Sequence, residues 1–96
     1  MTEQIPEELQ AARAKIDQID RQLVELLAAR FQLTHQVGLL KADQALNALD
    51  ESRESQKLEE LRSLCAEQGL EPDLITELFK RIMEEVVKNH NRLKDS

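Results

Sequence analysis

The sequence has few of the residues that build turns, aromatic cores or disulfides. Among its 96 residues there is no Trp and no Tyr, with only two Phe, two Gly, two Pro and one Cys. So few glycines and prolines argue against a turn-rich all-β protein. The single cysteine, Cys65, cannot form an intrachain disulfide and is compatible with a reducing compartment. Strong helix formers dominate instead, and we therefore predict an all-α protein.

Two further absences exclude classes of partner. The formal net charge is −6, which argues against a nucleic-acid-binding protein because such proteins carry a basic surface. No apolar run approaches the roughly 20 residues of a membrane span, and residues 1–9 lack the basic and apolar regions of a signal peptide. We therefore expect no nucleic-acid partner, no membrane partner and a cytoplasmic location.

The spacing of apolar residues and helix-capping residues predicts three helices in a single domain over residues 1–96. Pro6 suits the first turn of the first helix. Asn47 or Asp50 is the expected N-cap of the second helix, and Gly69 is the expected residue just past its end. Pro72 opens the third. The predicted helices cover about residues 6–42, 49–68 and 72–93.

The first predicted helix is too long for a domain of this size. At 1.5 Å per residue it spans on the order of 50 Å, whereas a compact chain of this length has a radius of gyration of about 13 Å. Its apolar residues recur every three or four positions, as helix–helix packing requires. They are Leu9, Ala12, Ile16, Ile19, Leu23, Leu26, Leu33, Val37 and Leu40. We therefore predict an intertwined helical homodimer; a simple coiled coil would share this pattern.

Arg30 occupies the position in this apolar series where a leucine is expected. Lys41 shares its helix face, about 16 Å further along the axis, so that two long cationic side chains can hold a small ligand between them. Arg13 lies about 100° around the helix from Arg30 and would serve the site of the other chain in a dimer. The alternative for Arg30 is a side chain that reaches out to solvent or pairs with a buried glutamate.

The other two predicted helices also carry polar residues at positions of interest. Asp50, Arg53 and Glu54 lie at the start of the second helix, where ordinary capping is the alternative explanation. His90 follows a stripe of apolar residues on the third helix, although a histidine in such a place is often an ordinary core residue. The stripe consists of Ile75, Phe79, Ile82, Val86 and Leu93. Four cations with a carboxylate and a histidine predict a buried pocket for a small polyanion, since guanidinium groups bind carboxylates bidentately.

Over nearly its full length the sequence resembles the all-helical, AroQ-class chorismate mutase family. The resemblance rests on "AARAKIDQIDRQLVELLAARFQLTHQVGLLK", "DESRE" and "LFKRIMEE". It implies an intertwined three-helix homodimer with two equivalent active sites. It also implies the Claisen rearrangement of chorismate to prephenate in aromatic amino acid biosynthesis, a pericyclic reaction that needs no cofactor and no metal.

The resemblance further implies a role for each polar residue of the predicted pocket. Arg30 and the partner's Arg13 would bind the two carboxylates of the substrate. Lys41 would reach a carboxylate and the ether oxygen, and Glu54 would accept a hydrogen bond from the ring hydroxyl. The other implied substrate-binding residues are Asp50, Arg53, Val86 and His90.

Two positions on the third helix depart from the pattern of the family. Val86 stands where a small polar residue is usual, and His90 stands where a glutamine or glutamate usually donates to the ether oxygen. Histidine can donate there as the right neutral tautomer, and more strongly as imidazolium. These departures leave two alternatives open. One is the same fold acting on 4-amino-4-deoxychorismate or removing pyruvate from isochorismate, and the other is a non-catalytic helical dimer or adaptor.

Overall fold

Three α-helices make up the fold in a computed structural model that describes residues 5–95. They are α1 (Glu7–Asp43), α2 (Glu51–Gln68) and α3 (Pro72–Lys94). No strand is found in this described range, so the predicted all-α class with a very long first helix is confirmed. The chain divides into two compact units, Met1–Leu33 and Thr34–Ser96, and α1 contributes residues to both.

The first two helices begin slightly later than the sequence predicts. The Pro6 carbonyl accepts a hydrogen bond from the Gln10 backbone N–H at 3.0 Å, so this proline stands just before the first turn rather than inside it. Of the two candidate N-caps for α2, Asp50 is the one used. Its carboxylate accepts from the Arg53 backbone N–H at 3.0 Å, and its carbonyl accepts from the Glu54 N–H at the same distance. Such a cap satisfies amide groups that have no partner within the helix.

Local chemistry also explains the turn between α2 and α3. Gly69 ends α2 in the left-handed conformation, with φ of 70°, and its N–H bonds the carbonyl of Cys65. Glycine adopts this conformation without the steric cost of a Cβ. On the far side of the turn the Glu71 carboxylate caps α3 by accepting from the Asp73 N–H at 3.3 Å, and Pro72 occupies the first position of the helix.

The N-terminal unit, Met1–Leu33, exposes nearly all of its described surface. Every described residue before Leu27 is exposed, including those of the apolar series. Exposed fractions of the large apolar residues in this series run from 41% at Leu9 to 67% at Leu26. A helix without tertiary packing is marginally stable in water. The apolar side chains of this unit therefore present a surface that a partner could cover.

The C-terminal unit, Thr34–Ser96, contains the buried core. Its buried apolar side chains include Leu61 and Cys65 of α2 and Ile82 and Met83 of α3, and these two helices contact each other. Ala48 in the connection between α1 and α2 is also buried. Ile82 is the buried member of the apolar stripe on α3, and its neighbours in the stripe are half-buried.

Candidate functional site

Lys41 lies in the last turn of α1, where the chain folds back over the end of the helix. Its ammonium donates a hydrogen bond to the Ala48 carbonyl at 3.1 Å, and its own carbonyl accepts from the Leu46 N–H at 2.8 Å. Ala45, with φ of 56°, makes the reversal possible. An ammonium group has three hydrogens, so two hydrogens of Lys41 remain for an anionic ligand.

A cleft of about 830 Å³ opens beside Lys41. This volume lies within the range of small-molecule sites. Its walls come from the end of α1, the connection, the first turn of α2 and the last turns of α3. The lining residues are Lys41, Leu46, Asn47, Ala48, Leu49, Asp50, Glu51, Ser52, Val87, Asn91 and Lys94. Two of the residues predicted from the sequence, Lys41 and Asp50, are thus brought together.

Three of the predicted residues, Asp50, Arg53 and Glu54, lie at the start of α2, from its N-cap to the end of its first turn. The Asp50 carboxylate is engaged as the helix cap, so the backbone of this residue is the part that can face a ligand. Glu54 is half-buried one turn later, and Arg53 is exposed. The positive end of the helix dipole lies at this turn and favours negative charge there.

His90 is buried, with 4% of its surface exposed. Its Nε2 lies 2.8 Å from the carbonyl oxygen of Thr34 in α1. Because a carbonyl only accepts, Nε2 carries the hydrogen of this bond. Its Nδ1 is buried without a hydrogen-bond partner among the residues that the structure describes. Val86, one turn earlier on α3, is half-buried.

The remaining two predicted residues belong to the N-terminal unit. Arg30 is half-buried near the end of this unit. Arg13 is exposed, which leaves its guanidinium accessible to another chain. Their predicted roles toward a ligand stay predictions.

The α3 residues that line the cleft are not among the site residues predicted from the sequence. Val87, Asn91 and Lys94 follow each other at intervals of four and three residues and so share one face of α3. They stand one position after Val86, His90 and Leu93, respectively. The same helical periodicity, shifted by one residue, would have pointed to them.

The described range also bears on metal binding and on membranes. Between residues 5 and 95 no three His, Cys, Asp or Glu side chains are grouped so that they could hold a metal ion. In that part of the chain no helix combines the length and the apolar character that crossing a bilayer demands.

Comparison with known families decides where this fold belongs. The sequence profile described as chorismate mutase type II matches residues 12–91. The chain belongs to the type II chorismate mutase family. The matched range includes all eight residues that the sequence analysis assigned to the site, from Arg13 to His90. Chorismate mutase membership thereby confirms the resemblance, while the individual residue roles are not tested by it.

Relatives within the chorismate mutase family differ greatly in length. A T-protein of Haemophilus influenzae is 35% identical over 86 residues, which is 90% of this chain but 23% of the relative. The bifunctional chorismate mutase/prephenate dehydratase of a Buchnera aphidicola strain from Acyrthosiphon pisum is 33% identical over 81 residues, 84% of this chain and 21% of the relative. A chorismate mutase of Methanocaldococcus jannaschii is 30% identical over 78 residues, 81% of this chain and 79% of the relative. The chain thus spans about a quarter of the length of the T-protein.

Proposed function

We propose that the chain catalyses the rearrangement of chorismate to prephenate. The observation that carries this proposal is the family match, which extends over residues 12–91 and includes every predicted site residue. The relative from Methanocaldococcus jannaschii, of which the chain covers 79%, is itself named chorismate mutase. The cleft beside Lys41 supports the proposal because its volume suits a small molecule.

The reaction requires binding and electrostatics rather than a nucleophile. Chorismate is a flexible dianion, and it must be held in the compact conformer in which the new carbon–carbon bond can form. Negative charge builds on the ether oxygen as the carbon–oxygen bond breaks, so a positioned cation or donor lowers the barrier. The two hydrogens that Lys41 does not give to Ala48 suit this task.

The other proposed roles follow the chemistry of each side chain. Arg30 and the partner's Arg13 each bind a carboxylate through the planar fork of the guanidinium. Glu54 accepts a hydrogen bond from the ring hydroxyl. Arg53 and the backbone of Asp50 complete the wall at the start of α2, and Val86 supplies an apolar contact.

His90 has a narrower proposed role than its residue type alone suggests. Its Nε2 hydrogen bonds Thr34, so the nitrogen left for a ligand is Nδ1. In the neutral ring Nδ1 has a lone pair and accepts; it donates only in the imidazolium form. Donation from His90 to the ether oxygen therefore requires the charged ring.

We propose further that two copies of the chain form the functional unit. The apolar series of the N-terminal unit is exposed over most of its length, and contiguous apolar surface of this kind marks an interaction site. A second copy offers the same series, as a symmetric dimer requires. The dimer would supply Arg13 to the site of the other chain.

The proposal is tested by assaying the purified chain and an arginine variant. The wild type is expected to form prephenate, which chromatography of the reaction mixture detects. Arg30→Ala is expected to lower kcat/KM about a hundredfold or more, since it removes a charge that contacts the reacting dianion. Arg21→Ala is the matched control, because Arg21 is an exposed arginine of the same helix without a proposed role.

Two results would contradict this function. If the wild type forms no prephenate, the chain is not a chorismate mutase in activity. If it turns over 4-amino-4-deoxychorismate or isochorismate faster than chorismate in parallel assays, the substrate is wrong. Equal activity of Arg30→Ala and Arg21→Ala would remove the role of Arg30 alone.

A further inference from the structure

His90 makes two contacts with α1 that the proposed reaction does not require. Its Nε2 donates to the Thr34 carbonyl at 2.8 Å. Its ring edge lies against Gly38 so closely that a Cβ on this glycine would be 2.5 Å from Cδ2 and 3.1 Å from Nε2 of the imidazole. A Cβ contact as short as 2.5 Å essentially never occurs, so the absence of a side chain at position 38 is what admits the ring.

These contacts fix which nitrogen carries the hydrogen in the neutral ring. The Thr34 carbonyl can only accept, so Nε2 must be the donor. Nδ1 lies on the ring edge opposite Cδ2, away from Gly38, and it is buried with no hydrogen-bond partner in the described range. The neutral ring is therefore held as the Nε2–H tautomer by its contact with α1.

The contacted residues share a helix face with Lys41. Thr34, Gly38 and Lys41 are separated by four and three positions, which places them on one side of α1 in successive turns. The His90 imidazole contacts Thr34 and Gly38 and therefore restricts the rotation and tilt of the next helical turn, which carries Lys41. Leu93, one turn after His90 on α3, also lies against Gly38. Its Cδ1 would be 2.8 Å from a Cβ at position 38.

We propose that His90 is a positioning residue for Lys41. Held as the Nε2–H tautomer by Thr34 and seated on Gly38, it fixes the last turns of α1 against α3 and so aims the Lys41 ammonium. The consequence for ligand binding rests on the proposed function, whereas the contact with α1 does not depend on it.

The first test uses the ligand-free protein and two amide substitutions. The side-chain nitrogen of glutamine occupies the place of Nε2, and that of asparagine the place of Nδ1. His90→Gln should therefore keep the bond to Thr34, and His90→Asn should lose it. In His90→Asn we expect hydrogen exchange of the amides of residues 38–41 to accelerate about tenfold, the effect of losing roughly one hydrogen bond, while His90→Gln stays near the wild-type rate.

Nitrogen NMR of the wild-type His90 imidazole shows which ring nitrogen carries the hydrogen. A His90 that only filled space would not require one particular tautomer. In the spectrum of the neutral ring, the ¹⁵N shifts should identify Nε2 as the protonated nitrogen. An Nδ1–H tautomer, a mixture of tautomers, or unchanged exchange in His90→Asn would overturn the proposal.

Substitution of Gly38 supplies an independent test. Helix propensity alone predicts that Gly38→Ala raises Tm. We expect it to lower Tm instead, because the new methyl group displaces the imidazole. In a His90→Ala background the same substitution should lower Tm by less, since the ring is gone and only the flexible end of Leu93 still has to move. A rise in Tm in the wild-type background would contradict the close seating of His90.

The last test asks whether His90 acts through Lys41. A bicyclic dicarboxylate that mimics the chorismate transition state serves as the probe in calorimetry. His90→Asn should weaken its binding about tenfold in the wild-type background, as the loss of roughly one hydrogen bond would, and have no further effect in Lys41→Met. An equal loss in both backgrounds would mean that His90 affects probe binding independently of Lys41, and would overturn the positioning role. If the wild type does not bind the probe, the proposed function fails. The NMR and hydrogen-exchange results would still show whether His90 is bonded to Thr34 of α1.

Discussion

The two units of the chain solve the problem of burying apolar surface in different ways. The C-terminal unit packs Leu61, Cys65, Ile82 and Met83 into a core of its own. The N-terminal unit has an apolar series of similar chemistry that stays exposed in the single chain. Both units therefore carry apolar side chains on their helices, but only the C-terminal unit buries a set of them within the single chain.

Whether apolar residues of a helix are buried within the chain depends on the turns that connect the helices as well as on the apolar spacing. A core between α2 and α3 requires a short turn that brings two helices of the same chain together, and Gly69 provides it. The first 27 residues of α1 contain no such turn. Their apolar series can be covered by a second copy, so the stability of this unit should depend on protein concentration, unlike that of a self-contained core.

The largest expected effect comes from placing a charge in the N-terminal apolar series. Leu23→Asp should convert the proposed dimer to a monomer and abolish most of the activity, because a carboxylate would be buried without a partner in each chain. Analytical ultracentrifugation measures the association. The neighbouring Gln22→Asp adds the same charge outside the series and should leave the dimer intact. A dimeric Leu23→Asp protein would show that this series is not the interface.

A somewhat smaller effect is expected from a cavity in the C-terminal core. Leu61 is 7% exposed, and Leu61→Ala should lower the free energy of unfolding by about 2–5 kcal/mol. Chemical denaturation measures the change. Leu64→Ala on the same helix removes an equal volume from a residue that is half exposed and should cost less. Equal losses in the two variants would mean that the core of this unit extends beyond the single chain.

Much of the fold was predictable from the sequence because helix ends are determined locally. The capping of α2 by Asp50 and its termination at Gly69 depend on residues within a few positions. The predicted starts of α1 and α2 were early by one and two residues, since Pro6 and Asp50 lie just outside the helices they begin. Asn47, the alternative candidate for the N-cap of α2, lines the cleft instead.

The candidate site was less predictable because its contacts join distant residues. The bond between His90 and Thr34 spans 56 positions and depends on how closely α3 approaches α1 at Gly38. The contact of Lys41 with Ala48 requires a chain reversal at Ala45, a residue without the usual preference for positive φ. Helical periodicity predicts which residues share a face, but not which atoms meet across two helices.

A moderate effect is expected from the cap that borders the cleft. Asp50→Ala should lower the free energy of unfolding by about 0.5–2 kcal/mol, because the Arg53 N–H loses its acceptor. Asp50→Asn keeps a capping oxygen and should retain most of the stability. Denaturation curves of the two variants provide the comparison. If both lose stability equally, the charge of Asp50 rather than its capping geometry stabilises this end of α2.

The smallest expected effect concerns an ion pair on the surface of α3. The hydrogen bond from Arg81 at 3.1 Å, helped by the charge of Lys88, holds the pKa of the Glu85 carboxyl below its ordinary value of 4.5. A lowered folded-state pKa stabilises the fold above the unfolded value, and this contribution is lost as the pH falls through the folded pKa. Arg81→Gln should raise the pKa of Glu85 toward 4.5, as carbon NMR of the carboxyl group would report.

The control for this ion pair is Arg62→Gln, which removes the partner of Asp73 at 3.5 Å and should leave the titration of Glu85 unchanged. Because the pair is exposed and its charges stand in the less favourable order along the helix, the effect on stability should be slight. If Arg81→Gln leaves the titration of Glu85 where it is, Lys88 rather than Arg81 is the main cause of the lowered pKa. If the variant unfolds at clearly lower temperature at neutral pH, α3 depends on its surface charges more than its buried face indicates.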